Sequence, residues 1–356
     1  MASSSNMHFK KGTIRMRNGN YVVAIIGLNF GMRHLEGAIK EGYEIGALCD
    51  LRQEKLEEFS KKYDIPMEKC HTDYHDLLTM EDLDIVVIAT PDQLHVPLSQ
   101  EFLAAGKHVL CEKPLALTRE DINAIVATEH KSSARFMVGQ ICRFTPAFVK
   151  AKELIDAGTI GELYFVESEY AHDYMRIMAD VQAWRSDPLR HGVIGGGCHA
   201  VDLLRWIAGN PTEVFAYGTH KLLPMAAYDD ATVALLKFPN NVMGKVFVST
   251  GCKRDYTMRT VIYGTKGTII CDNTSDHLTL FTVDDTEWTK PKELIPVEVN
   301  NHNAAAEISV FVDAIKSGKK VMTDAAEGAS TVATCLAIVE SAKKGGAVVH
   351  PDYKFD

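Results

Sequence analysis

Residues 21–31 read Tyr21-Val22-Val23-Ala24-Ile25-Ile26-Gly27-Leu28-Asn29-Phe30-Gly31, and this stretch decides the fold. Residues 21–27 are a short apolar run with the length of a buried strand, and residues 32–40 behind it carry the apolar spacing of a helix. Glycines 27 and 31 lie in the turn between them. Working outward, the alternation repeats. Residues 44–50, 84–90, 107–112 and 135–139 read as strands; residues 54–63, 95–105 and a stretch opening at Thr118 read as helices. Gly106 ends one of these helices, and Asp121, three residues after Thr118, gives another a capping-box start. Strands alternating with helices imply a doubly wound α/β domain, its parallel sheet covered on both faces.

The period changes after Arg143. Thr145 as N-cap and Pro146 in the first turn open a helix that reaches Ala157 and closes at Gly158. Strand-like runs follow at 162–170, 213–219, 232–238, 243–249, 259–263, 268–272 and 278–281. Pro239-Asn240-Asn241 and Gly264-Thr265-Lys266-Gly267 read as hairpin turns between them. Hairpins mean an antiparallel or mixed sheet, hence a second, α+β domain. Helices at 304–317 and 325–344 end the chain. The expected division is an extension over residues 1–20, a first domain over 21–143 and a second over 144–356, hinged at Arg143 to Pro146.

Bulk properties narrow the class. A chain of 356 residues is long enough for two domains. Its 38 basic and 47 acidic residues give a formal charge of −9, which argues against nucleic acid as a partner. No stretch has the roughly 18 consecutive apolar residues of a membrane helix, so no membrane partner is expected. Residues 1–20 lack the apolar segment of a secretory signal. The eight cysteines, Cys49, Cys70, Cys111, Cys142, Cys198, Cys252, Cys271 and Cys335, include no Cys-x-x-Cys pair. They read as reduced thiols of a cytoplasmic protein.

Four motifs carry chemistry. The glycine turn at 27–31 brings backbone N–H groups at a helix start toward a pyrophosphate. Asp50 ends the next strand, where a carboxylate accepts the hydroxyls of an adenosine ribose. Together they suit a dinucleotide; a plain turn with a surface acid is the simpler alternative. The loop is one residue shorter than Gly-x-Gly-x-x-Gly, with Asn29 at the middle glycine. Asp50 favours NAD, and the neighbouring Arg52 leaves NADP open. The second motif, Ala89-Thr90-Pro91-Asp92-Gln93-Leu94-His95, follows a strand end on the rim where open α/β sheets bind ligands. Glu112-Lys113-Pro114 ends another strand on that rim, and the proline fixes the backbone so that the Lys113 amine is aimed. The fourth, Gly195-Gly196-Gly197-Cys198-His199-Ala200-Val201-Asp202, runs into a helical pattern. His199 falls in its first turn, where the helix dipole keeps an imidazole neutral and able to exchange a proton. Asp202 shares its face and is placed to orient it. His172, Asp173, His191 and His199 lack a metal-ligand spacing, so no metal is expected.

Jointly these residues resemble the Gfo/Idh/MocA family of oxidoreductases, named for glucose–fructose oxidoreductase, inositol dehydrogenase and a rhizopine-catabolism protein. The resemblance runs from about Val22 to Val349. It rests on Ala89-Thr90-Pro91 with His95, Glu112-Lys113-Pro114, Gly139-Gln140 ahead of Arg143-Phe144, the His199 and Asp202 pair, and residues 307–346. It implies a Rossmann domain, then a domain with a large open, mainly antiparallel sheet that makes homodimers or larger homo-oligomers. It implies NAD or NADP as cofactor and a sugar, polyol or glycoside as substrate. The implied cofactor contacts are Gly27, Asn29, Phe30, Gly31, Asp50, Arg52, Thr90, Pro91, His95, Glu112, Lys113 and Gln140. The resemblance puts Lys113 against both substrate and nicotinamide ribose and makes His199 the acid/base. It puts Arg143, Tyr170, His172, Asp173, Trp184, Arg185 and Asp202 around the sugar. One position departs. The inositol dehydrogenase branch carries an aspartate four residues before the histidine, and here that residue is Gly195. Either His199 works with Lys113 alone, or Asp173 or Asp202 assists; the three glycines would also leave room for a bulkier substrate. Two other functions stay open on this scaffold: glycoside cleavage through transient sugar oxidation by bound NAD, and a non-enzymatic NAD-sensing regulator.

Overall fold

Five consecutive buried apolar residues, Val22–Ile26, form β1 at the middle of a six-stranded parallel sheet. The computed structural model describes residues 21–282 and 292–355, without the side chains of residues 179–183. The extension expected over residues 1–20 lies outside them. After β1 come α1 (Gly31–Lys40), β2 (Glu44–Cys49), α2 (Gln53–Tyr63), β3 (Cys70–His71), α3 (His75–Leu78), β4 (Ile85–Ile88) and α4 (His95–Ala104). β5 (His108–Glu112), α5 (Arg119–Lys131) and β6 (Phe136–Gly139) complete the unit. The strand order is β3-β2-β1-β4-β5-β6. β1, β4 and β6 are buried along their whole length, which is why they read as apolar runs without alternation. The order reverses between β1 and β4, so the crevice opens beyond the carboxyl ends of those strands. Every motif loop of the first half leaves a strand at that rim. β3 and α3 were not foreseen; two and four residues are too short to show a period. Thr118 does cap α5, accepting from the Asp121 N–H at 3.1 Å.

The second half follows as α6 (Pro146–Asp156), β7 (Leu163–Ala171), α7 (Met175–Arg185), α8 (Gly192–Gly195) and α9 (Cys198–Ala208). Then come β8 (Glu213–Thr219), β9 (Ala231–Lys237), β10 (Met243–Ser249), β11 (Thr257–Gly264), β12 (Gly267–Asp272), β13 (His277–Thr282) and β14 (Lys292–Pro296). These strands form one sheet in the order β14-β13-β12-β11-β7-β10-β9-β8, antiparallel except where β7 lies parallel to β10. β9 shows the one-sided burial of such a sheet: Thr232, Ala234 and Leu236 are buried, while Val233 and Leu235 are exposed. Helices α6, α9 and the later α11 (Ala325–Lys343) cover the buried face. The helix α7 and the strand β14 were unforeseen. Thr145 corrects an expectation: its hydroxyl does not cap α6 but donates to the Asn301 carbonyl at 3.0 Å.

The last two helices return to the first sheet. On α10 (Ala304–Ser317), Ile308, Phe311 and Val312 are fully buried in one cluster with Ile25, Leu35, Leu48 and Leu110. Before α11, Thr323 pairs with β6, exchanging bonds of 2.7 Å with the Val138 N–H and carbonyl. The amphipathic α10 thus closes the outer face of a sheet that precedes it by some 200 residues of chain. Among the described residues, no helix is long and apolar enough to cross a membrane. Phe311→Ala should cost about 3–5 kcal/mol, read as a lower urea midpoint with a loss of both domains' signal.

Candidate active site

The glycine turn is built by close approach. Gly27 has φ +88°, and a Cβ there would stand 2.4 Å from the Ala89 carbonyl oxygen. Only glycine lets the loops after β1 and β4 meet. A Cβ at Gly31 would lie 2.6 Å from Ile25 Cγ2, so its absence seats α1 on β1. Asp50 Oδ2 accepts the Leu28 N–H at 2.9 Å, and Oδ1 accepts Arg52 Nε at 2.9 Å. Burial pushes the Asp50 carboxyl up, but the bonds from Arg52 and Leu28 outweigh it and hold the group below its usual range. Arg52 Nη2 also reaches Asn29 Oδ1 at 3.2 Å. The rim fits a dinucleotide on its own terms. The first turn of α1 has no side-chain cap, and the buried Thr90 Oγ1 and Gln140 Oε1 have no protein partner.

The next two motifs brace each other. His95 is buried, with Nδ1 2.7 Å from the Pro114 carbonyl and Nε2 3.0 Å from the Thr90 carbonyl. Two acceptors suit a doubly protonated ring. Burial pulls its pKa down, yet Cys111, Asp92 and the Pro114 carbonyl raise it to about 10. The ring is therefore spent on the protein, and the contact expected between His95 and the cofactor becomes a clamp on the Lys113 loop. Glu112 is held similarly: Oε1 bonds His34 Nε2 at 2.8 Å, and Oε2 accepts the Lys113 N–H at 3.1 Å. Burial opposes its ionisation, but His34 holds the carboxyl far below its usual range. Lys113 itself lines a solvent-open cavity, together with Phe30, Thr90, Asp92, His95, Glu112, Trp184, Arg185 and Arg190.

His199 stands in the first turn of α9 and is 2% exposed. Burial drives its pKa well below the ordinary value, and the charge of Lys113 is the next largest cause. The amine from the first sheet thus lies within electrostatic reach of the imidazole from α9. Nδ1 lies 3.3 Å from Cys142 Sγ, whose thiol burial keeps protonated. Around the ring sits a polar aromatic cluster. The Tyr170 hydroxyl bonds Tyr174 at 2.9 Å and His172 Nδ1 at 3.1 Å. Tyr256 packs on His172 with ring centres 4.6 Å apart and on His302 at 6.0 Å. Burial, with nearby cations, lowers His172 to about 4 and His302 to about 3, so both imidazoles are uncharged at neutral pH.

Several expected substrate contacts are engaged elsewhere. Arg143 is buried and forms a two-pronged pair with Asp202, both bonds 2.8 Å, and lies 3.3 Å from Glu327. Neither is free for a sugar. Asp202 does not orient His199 either, because its remaining capacity goes to Thr331 Oγ1 at 2.9 Å. Asp173 accepts the Met175 N–H at 3.0 Å and pairs with Lys253, which makes it the start of α7. The three glycines leave no room for a bulky substrate. A Cβ at Gly195 would stand 2.2 Å from Arg190 Cζ, and one at Gly196 would stand 2.5 Å from the Tyr170 ring. Arg190 fills that space and donates to Asp92 Oδ2 at 2.7 Å and to the Gly195 carbonyl at 3.1 Å. Cys142, Arg190, Tyr256 and His302 had no motif to announce them. Only their apolar or glycine neighbours hinted at burial.

A dinucleotide rim facing a lysine and a neutral histidine defines a nicotinamide-dependent oxidoreductase. The chain belongs to the Gfo/Idh/MocA family: residues 21–140 match the oxidoreductase family's NAD-binding Rossmann fold, and residues 148–270 match the GFO/IDH/MocA C-terminal domain. Among its relatives is the myo-inositol 2-dehydrogenase of Thermotoga maritima, 26% identical over 86% of this chain and 91% of that one. Another is the 1-carboxy-3-chloro-3,4-dihydroxycyclohexa-1,5-diene dehydrogenase of Comamonas testosteroni, 32% identical over 53% of this chain and 47% of that one. A levoglucosan dehydrogenase solved with NADH and levoglucosan shares the fold with a TM-score of 0.84, at 23% identity over 94% of this chain and 100% of that one.

If Arg143 and Asp202 are a structural pair, Arg143→Leu and Asp202→Leu should each cost about 3–5 kcal/mol by stranding a buried charge. The double variant should recover much of that loss in a denaturation cycle.

Proposed function

We propose that this chain is an NAD-dependent dehydrogenase that moves a hydride between nicotinamide and a secondary alcohol or ketone of a sugar, cyclitol or glycoside. The observation that carries this reading is that the Lys113 amine, on the dinucleotide rim, lies within electrostatic reach of the buried His199 imidazole. The names of its inositol and ring-diol dehydrogenase relatives support a cyclic alcohol as substrate. In this reading residues 21–143 hold the dinucleotide through Gly27, Asn29, Phe30, Gly31, Asp50, Arg52, Thr90, Pro91 and Gln140. Residues 144–356 supply the substrate pocket. The eight free thiols suit a reducing compartment such as the cytoplasm.

When bound, NAD supplies the site that accepts or returns the hydride. With Nδ1 facing Cys142, Nε2 of His199 is the nitrogen that takes the substrate's hydroxyl proton. Burial and the Lys113 charge keep that nitrogen unprotonated, so it is ready as a base. Lys113 Nζ donates to the same substrate oxygen and stabilises the negative charge that grows there as the proton leaves. In ketone reduction His199 returns the proton and Lys113 holds the oxygen. Tyr170 and His172 border the ring and offer hydroxyl and imidazole partners to neighbouring substrate hydroxyls.

His199→Gln and Lys113→Met should each lower kcat/KM by about 10²–10⁴ while NADH still binds. The pH dependence follows from the lowered pKa. Oxidation needs the unprotonated ring, so kcat/KM should fall only as pH drops through a value below 6.5. An acid limb at pH 7 or above would assign the base to another group.

The uncovered sheet face also bears on assembly. Tyr164, Tyr217, Val233, Leu235, Met243 and Phe247 are exposed on β7–β10. Apolar area of this kind marks a protein contact, and we assign it to a second copy of the chain. Light scattering behind size-exclusion chromatography should give a dimer or larger, and Leu235→Glu should shift it toward monomer.

A further inference from the structure

We propose that the substrate is an anion, a sugar acid or carboxylated ring alcohol whose carboxylate is held by Arg185 beside Lys113. This rests on the dehydrogenase reading and narrows its substrate.

The cavity walls carry four cationic groups, Lys113, Arg185, Arg190 and the His95 ring, and two carboxylates, Asp92 and Glu112. Both carboxylates are taken. Asp92 bonds Arg190 at 2.7 Å, and Glu112 bonds His34 at 2.8 Å. Among the described residues, neither Lys113 nor Arg185 has a carboxylate within ion-pair distance. Gly195 contributes none to this wall, since Arg190 fills its place. The cavity therefore holds an excess of positive charge with no counter-ion.

Arg185 is the more unusual of the two. It is 4% exposed, and its buried Nε has no hydrogen-bond partner. A buried guanidinium with unmet N–H groups is costly unless something else satisfies it. Its Cζ is surrounded instead by rings: Trp184 at 4.4 Å, Tyr174 at 5.3 Å and Phe30 at 5.4 Å. Cation–π contact with these rings offsets part of that cost but satisfies no N–H donor, so the donors of the fork are left for a ligand. A planar fork with a free edge matches the two oxygens of a carboxylate. Burial and the Arg190 charge lower the Arg185 pKa, and an arriving anion would reverse that shift.

A dinucleotide phosphate is a second anion of similar chemistry. The open first turn of α1 already provides for it, whereas Arg185 lies with Trp184 and Lys113 around the reaction cavity. A relative whose name gives a carboxylated ring diol as its substrate fits the same reading.

The test uses matched pairs of substrates with NAD: glucuronate against glucose, galacturonate against galactose, and quinate against myo-inositol. At least one acid should exceed its neutral partner in kcat/KM by about 30-fold or more, in line with a charge-assisted pair. The preference should shrink as salt rises. Arg185→Met should reduce the acid-to-neutral ratio about 10- to 100-fold, with the NADH dissociation constant moved less than about threefold. Neutral sugars turned over as well as the acids would overturn the anion proposal and leave the dehydrogenase reading standing. A variant that loses NADH affinity at an unchanged ratio would hand Arg185 to the cofactor and also overturn it. If no compound is oxidised, the dehydrogenase reading fails, and the anion site is still read by binding. Glucuronate or quinate should then quench bound NADH fluorescence saturably where glucose and myo-inositol do not. Equal binding of both kinds, or of neither, counts against the proposal.

Discussion

The buried pair of Arg143 and Asp202 holds the site together. Arg143 follows the last strand of the first sheet, and Asp202 lies on the helix whose first turn holds His199. Glu327 and Thr331 of the closing helix join the same network, as does Arg205, whose Nη1 reaches Thr331 at 2.6 Å. One set of charges thus ties the dinucleotide rim, the histidine helix and the C-terminal helix to one register. Taking such ions out of water is costly, and replacing them with apolar groups often stabilises a protein. Their value here is positional. Two apolar surfaces could slide by a fraction of a turn, but a two-pronged guanidinium–carboxylate bond cannot.

With that register set, the cleft has an uneven charge. The histidines around and including His199 are buried among tyrosines and stay neutral near pH 7. The cavity between the rim and α7 carries Lys113 and Arg185. A neutral base beside fixed cations suits loss of a hydroxyl proton, because the oxygen's growing negative charge is met at once and the base begins unprotonated. The same field favours an anionic group elsewhere on the substrate. His34 braces Glu112, and Glu112 and His95, which border the cavity, hold the Lys113 loop through their own hydrogen bonds. Arg190, joined to Asp92 of the first domain, closes the opposite wall.

Most of the fold was legible because its signals are local. Buried parallel strands read as β-branched runs, and glycine and proline mark their ends. The boundaries expected for β8, β10 and α10 coincide with those observed. What escaped were elements below the length of a period, such as β3 and α3, and helix α7, whose residues show no clear apolar stripe. The site was legible where a side chain stands at a strand end or helix start, as those of Lys113 and His199 do. It was misread where two distant residues pair. Asp202 stands on the right face of its helix to serve His199, yet Arg143 claims both of its oxygens.

The chain's order of residues determined by itself that a glycine turn, a rim lysine and a helix-start histidine would exist, since each depends on neighbours a few positions away. Tertiary structure alone decided which charges would be neutralised. Arg190 meets Asp92 across 98 positions, while Arg185 only five positions earlier meets aromatic rings and no carboxylate. Coulomb attraction acts through space, and nothing in the spacing of residues along the chain reveals which cation will find its partner and which will be left for a ligand.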